Sequence, residues 1–248
     1  MRKILAALFV LVVISGLSYQ IGIADGIIIP DPPICDPCPI PQPMSQLAIR
    51  YHHVNVTIKD QVAITSVDQV FYNPNDWEVE GDYLFPVPKG ATVSNFILWI
   101  DGEPVQGEIL DAETARQTYE QIVASMRDPA LLEYADQDAI RARIYPIPAK
   151  GERRIEIQYS QVLTSENGLV QYLYPLGTEK FSQEPLESVS VTVDIESKSP
   201  IRAIYSPSHK VSTSRDSDFD VTAGYEELNV LPDKDFSLIY SIGESEAF

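Results

Sequence analysis

The chain has 248 residues, of which 44% are hydrophobic, and this is enough material for one sizeable core or two small ones. Its formal net charge of -18 and sequence pI of about 4.4 argue against a basic surface. Binding to nucleic acid through the phosphates and attraction to anionic membranes both need such a surface. We therefore expect no nucleic-acid partner.

The first 24 residues have the pattern of a secretory signal peptide. Two cations precede an apolar run from Ile4 to Ile14, and small residues end at Ala24. Cleavage after Ala24 predicts a secreted, periplasmic or cell-surface protein. An uncleaved N-terminal membrane anchor is the alternative, because apolar residues continue to Ile29. Only in that case do we expect contact with a membrane.

Residues 25–45 are predicted to be a proline-rich spacer. Seven prolines fall between positions 30 and 43 without an apolar period, which favours a stiff, extended chain. Cys35 and Cys38 form a C-x-x-C pair inside it. In an exported protein this spacing favours a local disulfide. A structural zinc site needs a second pair of ligands, and the sequence has only two cysteines.

From residue 46 onward the apolar residues alternate with polar ones, as in β-strands. His52 and His53 are neighbours in one such strand, so they point to opposite faces and do not share a metal ion. Asp101 and Gly102 separate two strand-like runs and predict a tight hairpin. The stretch "LESVSVTVDIE", residues 186–196, predicts a half-buried antiparallel strand.

The stretch "AIRARIYPIPAKGERRIEIQYSQVL" predicts a second hairpin, with its turn at residues 149–151. In the register that buries the apolar residues, Ile144 lies opposite Ile155 and Arg143 faces Glu156. Five of the eighteen Lys and Arg residues fall between positions 141 and 154. Cross-strand ion pairs of this kind explain at least part of that cluster without a ligand.

One segment, residues 111–126, predicts a helix. Its apolar residues recur at helical spacing, Asp111 is placed to cap the first turn, and Pro129 prevents continuation. We expect the helix to pack on the β-structure and to hold the following residues Leu131, Leu132 and Glu133 in place. Adjacent leucines of a strand point to opposite sides, so these three residues are a candidate contact surface.

The order of these elements resembles the vault protein inter-alpha-trypsin (VIT) domain. The similarity rests on the Asp-Gly hairpin followed by "ARQTYEQIV", "PALLEY" and "IRARIYPIPAKGERRIEIQYSQVL", and it covers about residues 46–165. It implies a mainly β fold, an antiparallel β-sandwich with one helical excursion. It also implies a module without catalytic residues or cofactor, which binds a protein partner such as a von Willebrand type A module.

Residues 166–248 are predicted to be a further β-rich region. In the VIT family a von Willebrand type A module usually follows, and "ELNVLPDKDFSLIYSI" resembles the approach to it. The sequence contains no D-x-S-x-S metal-adhesion motif. One alternative is therefore that the chain is a truncated precursor of such a two-module protein.

No catalytic constellation is recognisable: there is no G-x-S-x-G motif, and both cysteines lie in the spacer. A carboxylate-based, glycosidase-like hydrolase is the second alternative, because carboxylates are abundant. The alternating residues Asp216, Asp218 and Asp220 are weak metal candidates. A calcium loop of the EF-hand type needs glycine at its sixth position, where this chain has Val221.

We expect the exported protein to carry a Cys35–Cys38 disulfide. Intact-mass spectrometry after thiol blocking should find no alkylated cysteine before reduction and two afterwards. Because the bridge closes a very short loop, reduction should change the free energy of unfolding little. Two freely alkylated cysteines in the exported protein would show that this prediction is wrong.

Overall fold

The computed structural model describes residues 26–31, 45–106, 139–177 and 184–243. Every regular element in these ranges is a β-strand, which confirms the mainly β fold class. No helix in them is long and apolar enough to cross a membrane. The predicted helix, the two cysteines and the candidate surface Leu131, Leu132 and Glu133 lie outside the described residues.

Several of the longer strands, among them β2, β3, β8, β10 and β11 as bounded below, alternate buried and more exposed positions, as the sequence pattern predicts. The described ranges contain β1 (Ile27–Pro30), β2 (Ala48–Lys59), β3 (Val62–Tyr72), β4 (Val79–Pro86), β5 (Thr92–Ile100), β6 (Glu103–Gln106), β7 (Ala139–Ile147), β8 (Glu152–Val162), β9 (Ser165–Glu166), β10 (Leu169–Tyr174), β11 (Leu186–Glu196), β12 (Ile201–Tyr205), β13 (Ser212–Arg215), β14 (Asp220–Val230) and β15 (Phe236–Ile242).

Three sheets form from these strands. An eight-stranded sheet, here called the large sheet, has the order β13-β14-β11-β2-β3-β8-β5-β6. A three-stranded sheet, β1-β4-β7, is called the β4 sheet, and a four-stranded sheet, β12-β15-β10-β9, is called the β15 sheet. Because β11 and β14 belong to the large sheet, the stretches 46–165 and 166–248 share one sheet.

The large sheet contains one parallel pair, which the sequence did not predict. Strand β11 is antiparallel to β14, as expected, but parallel to β2, with Val191 opposite Val54. A parallel neighbour needs a long crossover, and here the described part of the chain between β2 and β11 contains eight other strands. Alternating apolar residues fix the buried face of a strand but not the direction of its neighbour.

The core lies between the large sheet and the two smaller sheets. Phe85 of β4 packs against Tyr159 of β8 with ring centroids 6.0 Å apart. Tyr172 of β10 hydrogen-bonds Thr65 of β3 at 2.9 Å. Both smaller sheets therefore cover the same face of the large sheet, and the fold is a β-sandwich with one divided layer.

The predicted pairing of Ile144 with Ile155 is wrong. Strand β7 pairs with β4, where Ile144 lies opposite Gly81, whereas β8 pairs with β3 and β5. The turn at residues 148–151 thus carries the chain from one layer of the sandwich to the other. Ile144 and Ile155 are both buried, as predicted, and both belong to the core between the layers.

The Asp101-Gly102 hairpin is confirmed. It joins β5 to β6, with Ile100 paired to Glu103. Asp101 has φ 52° and Gly102 has φ 86°. Two consecutive positive φ angles are the signature of the tight hairpin turn that this dipeptide favours.

The predicted spacer begins with a strand. Ile27–Pro30 forms β1 at the edge of the β4 sheet, with Ile28 opposite Tyr83. Two glycines make room for it. A Cβ on Gly26 would lie 2.3 Å from the Tyr83 hydroxyl, and one on Gly81 would lie 2.1 Å from the Ile29 carbonyl oxygen. The backbone of β1 therefore approaches β4 more closely than a side chain would allow.

A buried hydrogen-bond chain joins the three sheets. The Tyr83 hydroxyl of β4 donates to Gln69 Oε1 of β3 at 2.7 Å. Gln69 Nε2 lies 2.8 Å from His52 Nδ1 of β2, and His52 Nε2 lies 2.8 Å from the Tyr174 hydroxyl of β10. The neutral Nε2–H tautomer of His52 satisfies both contacts. Gln69 is thus the centre of a polar connection through the core.

Gln69→Leu should destabilise the protein by about 2–4 kcal/mol, because it removes a hydrogen bond from each of two buried side chains, His52 and Tyr83. Urea unfolding followed by tyrosine fluorescence measures the loss. Gln158→Leu, on the opposite side of the same sheet, is the matched control and should change stability by less than about 0.5 kcal/mol. Equal effects of the two substitutions would contradict a central role for Gln69.

Candidate functional site

The second face of the large sheet points away from the core. We call it the open face; it consists of the outward side chains of β2, β3, β5, β8, β11 and β14. On the central strands these side chains are half-buried or exposed, whereas those pointing inward are buried. The strand alternation therefore leaves the polar side chains of this face accessible to a binding partner.

Arg154 of β8 is the centre of the open face. Its Nε and Nη2 donate to the two carboxylate oxygens of Asp68 on β3, both at 2.8 Å. Nη2 also lies 2.6 Å from Glu156 Oε1. The guanidinium group sits 4.6 Å from the Trp99 ring centroid, and Trp99 Nε1 donates to Glu156 Oε1 at 2.9 Å. We call these four residues the Arg154 cluster.

The hydrogen bonds of the Arg154 cluster fix its geometry. A bidentate guanidinium–carboxylate pair has one planar arrangement, and the contact with Trp99 restricts the guanidinium further. Hydrogen bonding to Asp68 raises the pKa of Arg154 above its ordinary value. The Arg154 side chain is nevertheless 37% exposed. The cluster is therefore ordered before any partner binds and still accessible to one.

Two aromatic rings of β2 extend the Arg154 cluster. Tyr51 and His53 stack with centroids 4.5 Å apart and planes 15° apart. The Tyr51 hydroxyl donates to Asp68 Oδ1 at 3.2 Å, and His53 Nε2 lies 2.5 Å from Ser188 Oγ. Burial, followed by the Asp68 charge, raises the pKa of Tyr51 to about 12. Burial lowers the pKa of His53, so both rings are neutral at pH 7.

Apolar side chains lie on the same face, farther along β3 and β8. Val62 and Val162 are cross-strand neighbours and are 46% and 75% exposed. Ile64, two residues along β3, is 42% exposed. A sheet face that carries ordered aromatic and arginine side chains and also exposed aliphatic groups has the composition of a protein-binding surface rather than of a catalytic cleft.

The two carboxylates of the Arg154 cluster are not arranged for hydrolysis. Asp68 accepts from Arg154 and Tyr51, and Glu156 contacts Arg154 and Trp99. A glycosidase needs one carboxylate that stays protonated and a second that is free to attack or to activate water. Engagement of both groups by Arg154 leaves neither role available.

The structure places the metal candidates at a hairpin tip. Asp216 and Asp218 lie in the turn between β13 and β14, and Asp220 begins β14. The Asp220 carboxylate accepts from the Ser217 hydroxyl at 2.5 Å. Within the described ranges, no three His, Cys, Asp or Glu residues are grouped to hold a metal ion. His52 and His53 point to opposite faces, as predicted.

Sequence reasoning missed the Arg154 cluster. It paired Glu156 with Arg143, whereas the contacts of Glu156 are Arg154 and Trp99. Asp68 lies 86 residues before Arg154, and no local pattern joins them. The available signal was the concentration of Lys and Arg between positions 141 and 154, of which cross-strand ion pairing was expected to explain at least part.

Residues 49–159 match the family model of the vault protein inter-alpha-trypsin domain. The chain contains a VIT domain. This domain supplies the whole Arg154 cluster, because Asp68, Trp99, Arg154 and Glu156 all lie within the matched residues. The open face is accordingly a surface of the VIT domain extended by β11 and β14.

Curated relatives share this domain at low identity. The chain is 26% identical over 216 residues to human protein mono-ADP-ribosyltransferase PARP4, which covers 79% of this chain and 12% of the relative. It is 22% identical over 208 residues to human inter-alpha-trypsin inhibitor heavy chain H6, covering 83% of this chain and 14% of that one. The chain thus spans about an eighth to a seventh of these relatives.

A solved structure has the same fold. A candidate nutrient-binding protein from Legionella pneumophila superposes with a TM-score of 0.56 at 16% sequence identity. The match covers 88% of this chain and 72% of the other. It extends well beyond residues 49–159 and supports a single architecture for the VIT domain and the strands that follow it.

Arg154→Ala should lower the free energy of unfolding by about 1 kcal/mol or less, because exposed ion pairs contribute little in water. Trp99→Ala and the double variant complete a cycle whose coupling energy should be about 0.5–1 kcal/mol, the strength of an exposed cation–π contact. Urea unfolding measures all three. A loss above about 3 kcal/mol for Arg154→Ala would assign the residue to the core and not to an accessible surface.

Proposed function

We propose that this protein is an exported, non-catalytic protein–protein interaction module of the VIT type, which acts at the cell surface or in the surrounding matrix. The open face, centred on the Arg154 cluster, is its contact surface. The Arg154 cluster is the observation that supports this function most directly. Trp, Tyr and Arg are the residue types that dominate binding energy in protein interfaces.

The Arg154 cluster is suited to binding because its side chains are ordered before a partner arrives. Ordering a long side chain on association costs about 0.5–1.5 kcal/mol. Arg154 and Trp99 already hold each other in place, and Glu156 bonds both of them. A partner that binds over them therefore orders little, and the exposed residues Val62 and Val162 add apolar area farther along the same face.

Strand β1 supports a cleaved leader over an uncleaved anchor. The apolar residues Ile27–Ile29, which in the sequence extend the hydrophobic run, are paired with β4. Gly26 is buried against Tyr83. These isoleucines are paired within a sheet, so their apolar character is explained without a membrane.

The earlier candidate surface remains a second proposal of the same class. Leu131, Leu132 and Glu133 follow the predicted helix and lie in the VIT domain by sequence. One partner that would contact both surfaces is a von Willebrand type A module. Relatives of the chain include proteins whose names state that they contain this module.

Affinity capture from the source cell tests the proposed function. Tagged wild-type protein and the Arg154→Glu variant are cross-linked on intact cells, purified and compared by quantitative mass spectrometry. We expect at least one extracellular protein to fall about tenfold or more in the variant, because reversing the central charge breaks the Asp68 and Glu156 contacts and leaves like charges together. The purified partner must then bind wild-type protein directly.

Arg202→Glu is the matched control. Arg202 is an exposed arginine of β12 whose Nε donates to the Gly243 carbonyl oxygen, outside the open face. The Arg202→Glu substitution changes the net charge by the same amount as Arg154→Glu, and it should leave the set of captured proteins unchanged. Identical recovery with wild-type protein and Arg154→Glu would refute the open face as the contact surface, and turnover in a glycoside screen would favour the hydrolase alternative.

A further inference from the structure

Strand β14 is paired on one side along most of its length and on the other side only in part. Strand β11 pairs with it from Asp220 to Leu228 without a break in register. Strand β13, on the other side, pairs only with Val221–Gly224. Among the residues that the structure describes, none pairs with the outer side of Tyr225–Leu228. We call these four residues the β14 edge.

The backbone groups of the β14 edge point to the free side at every second residue. The carbonyl oxygen of Gly224 points towards β13, because it accepts from Ser212 Oγ at 3.2 Å. In an antiparallel strand the N–H and C=O of one residue point to the same side, and that side alternates along the chain. The register with β11 is regular to Leu228. The N–H and C=O groups of Glu226 and Leu228 therefore point to the free side.

The chain that leads into β13 lies on the core side of β14. Val211 packs against the core, and the His209 ring centroid lies 4.5 Å from that of Tyr225. Tyr225 is opposite Val191, which is fully buried, so this contact is on the inward face of the sheet. Residues 206–211 thus support the β14 edge from the core side, and they make no described backbone hydrogen bond with it.

Other sheet edges in the described ranges are protected against pairing. On β12, the Arg215 guanidinium donates to the carbonyl oxygens of Ile201 and Arg202, at 2.7 Å and 3.4 Å. Strand β6 contains Pro104 and β1 ends at Pro30, and a proline cannot donate to an added strand. Of the described contacts, none caps the β14 edge, and its four residues include no proline.

Two glutamates determine which kind of strand the β14 edge accepts. Glu226 and Glu227 are both exposed, and Leu228 is 62% exposed. If two copies of the edge paired antiparallel over all four residues, Glu226 of each copy would lie opposite Glu227 of the other. Like charges directly opposite one another destabilise a strand pair. The edge therefore disfavours a second copy and favours a strand with cations at the two matching positions.

We propose that the β14 edge binds an extended, basic segment of a partner protein, which adds a strand to the large sheet in line with β13. Backbone hydrogen bonds with Glu226 and Leu228 supply the pairing. Two adjacent Lys or Arg residues of the segment meet Glu226 and Glu227, one on each face of the sheet, and apolar residues beside them meet Tyr225 and Leu228. The formal net charge of -18 attracts such a segment. This contact does not depend on the Arg154 cluster.

Amide hydrogen exchange of the full exported chain, resolved by residue with NMR, tests the free edge. The amides of Glu226 and Leu228 should exchange at least ~tenfold faster than those of Tyr225 and Glu227, which point to β11. The peptide acetyl-Thr-Val-Lys-Lys-Val-Thr-amide is the probe. It should bind with a dissociation constant of about 1 mM or below and slow exchange at Glu226 and Leu228. Equal protection of all four amides in the free protein would overturn the proposal, because the edge would then already be paired.

Two comparisons separate strand pairing from attraction by charge alone. The same peptide, N-methylated at both lysines and both valines, keeps its charge but loses its backbone donors, and it should bind at least ~tenfold more weakly. Glu226→Lys should raise the dissociation constant of the unmodified peptide at least ~tenfold.

Glu103→Lys is the matched control. Glu103 is an exposed glutamate of β6, at the opposite edge of the large sheet. The substitution makes the same change in net charge and should alter peptide binding by less than about twofold. Equal binding of the methylated peptide, equal effects of the two substitutions, or no binding of the unmodified peptide would each contradict the proposal.

Discussion

The hydrogen-bond chain through Gln69 is the interaction on which the rest of the structure depends. Each of the three sheets contributes at least one member: Tyr83 from the β4 sheet, Gln69 and His52 from the large sheet, and Tyr174 from the β15 sheet. Buried amide, imidazole and phenol groups are costly unless all are paired. Only one relative placement of the three sheets pairs them, so the polar chain selects that placement among the many that would bury the apolar residues.

Division of one layer into two small sheets determines what the opposite face can do. The β4 and β15 sheets together cover the inward face of the large sheet and leave its outward face to solvent. Because a strand alternates, each core residue of β3 and β8 has a neighbour on the open face. The order of strands β2, β3, β8 and β5 then brings Tyr51, Asp68, Arg154 and Trp99 side by side. The Arg154 cluster is thus a consequence of sheet order.

The physical character of the open face suits recognition of another protein. It combines ordered ion pairs and aromatic rings with a few aliphatic groups, so a partner must match it in charge and shape.

The sequence by itself determined the class of structure, the buried faces and the family. Alternation identified the strands and their inward residues, including Ile144 and Ile155, and Asp101-Gly102 specified a turn, because these signals depend on residues close together in the chain. The separated motifs between residues 46 and 164 were enough to indicate the VIT domain, which the family match confirms. The strand formed by Ile27–Pro30 was missed, because three isoleucines that follow a signal peptide also fit a continuation of its hydrophobic run.

Only the tertiary structure decided which strands are neighbours, and with that the candidate site. Strands β7 and β8 follow one another in sequence yet lie in different layers, and β11 pairs in parallel with β2 across 137 residues between Arg50 and Glu187. Which strands pair depends on how much apolar surface the whole chain buries. The pattern of apolar residues within one strand is compatible with either neighbouring strand. The contacts of Arg154 with Asp68 and Trp99 exist only once that choice is made, so no inspection of the sequence could have assembled them.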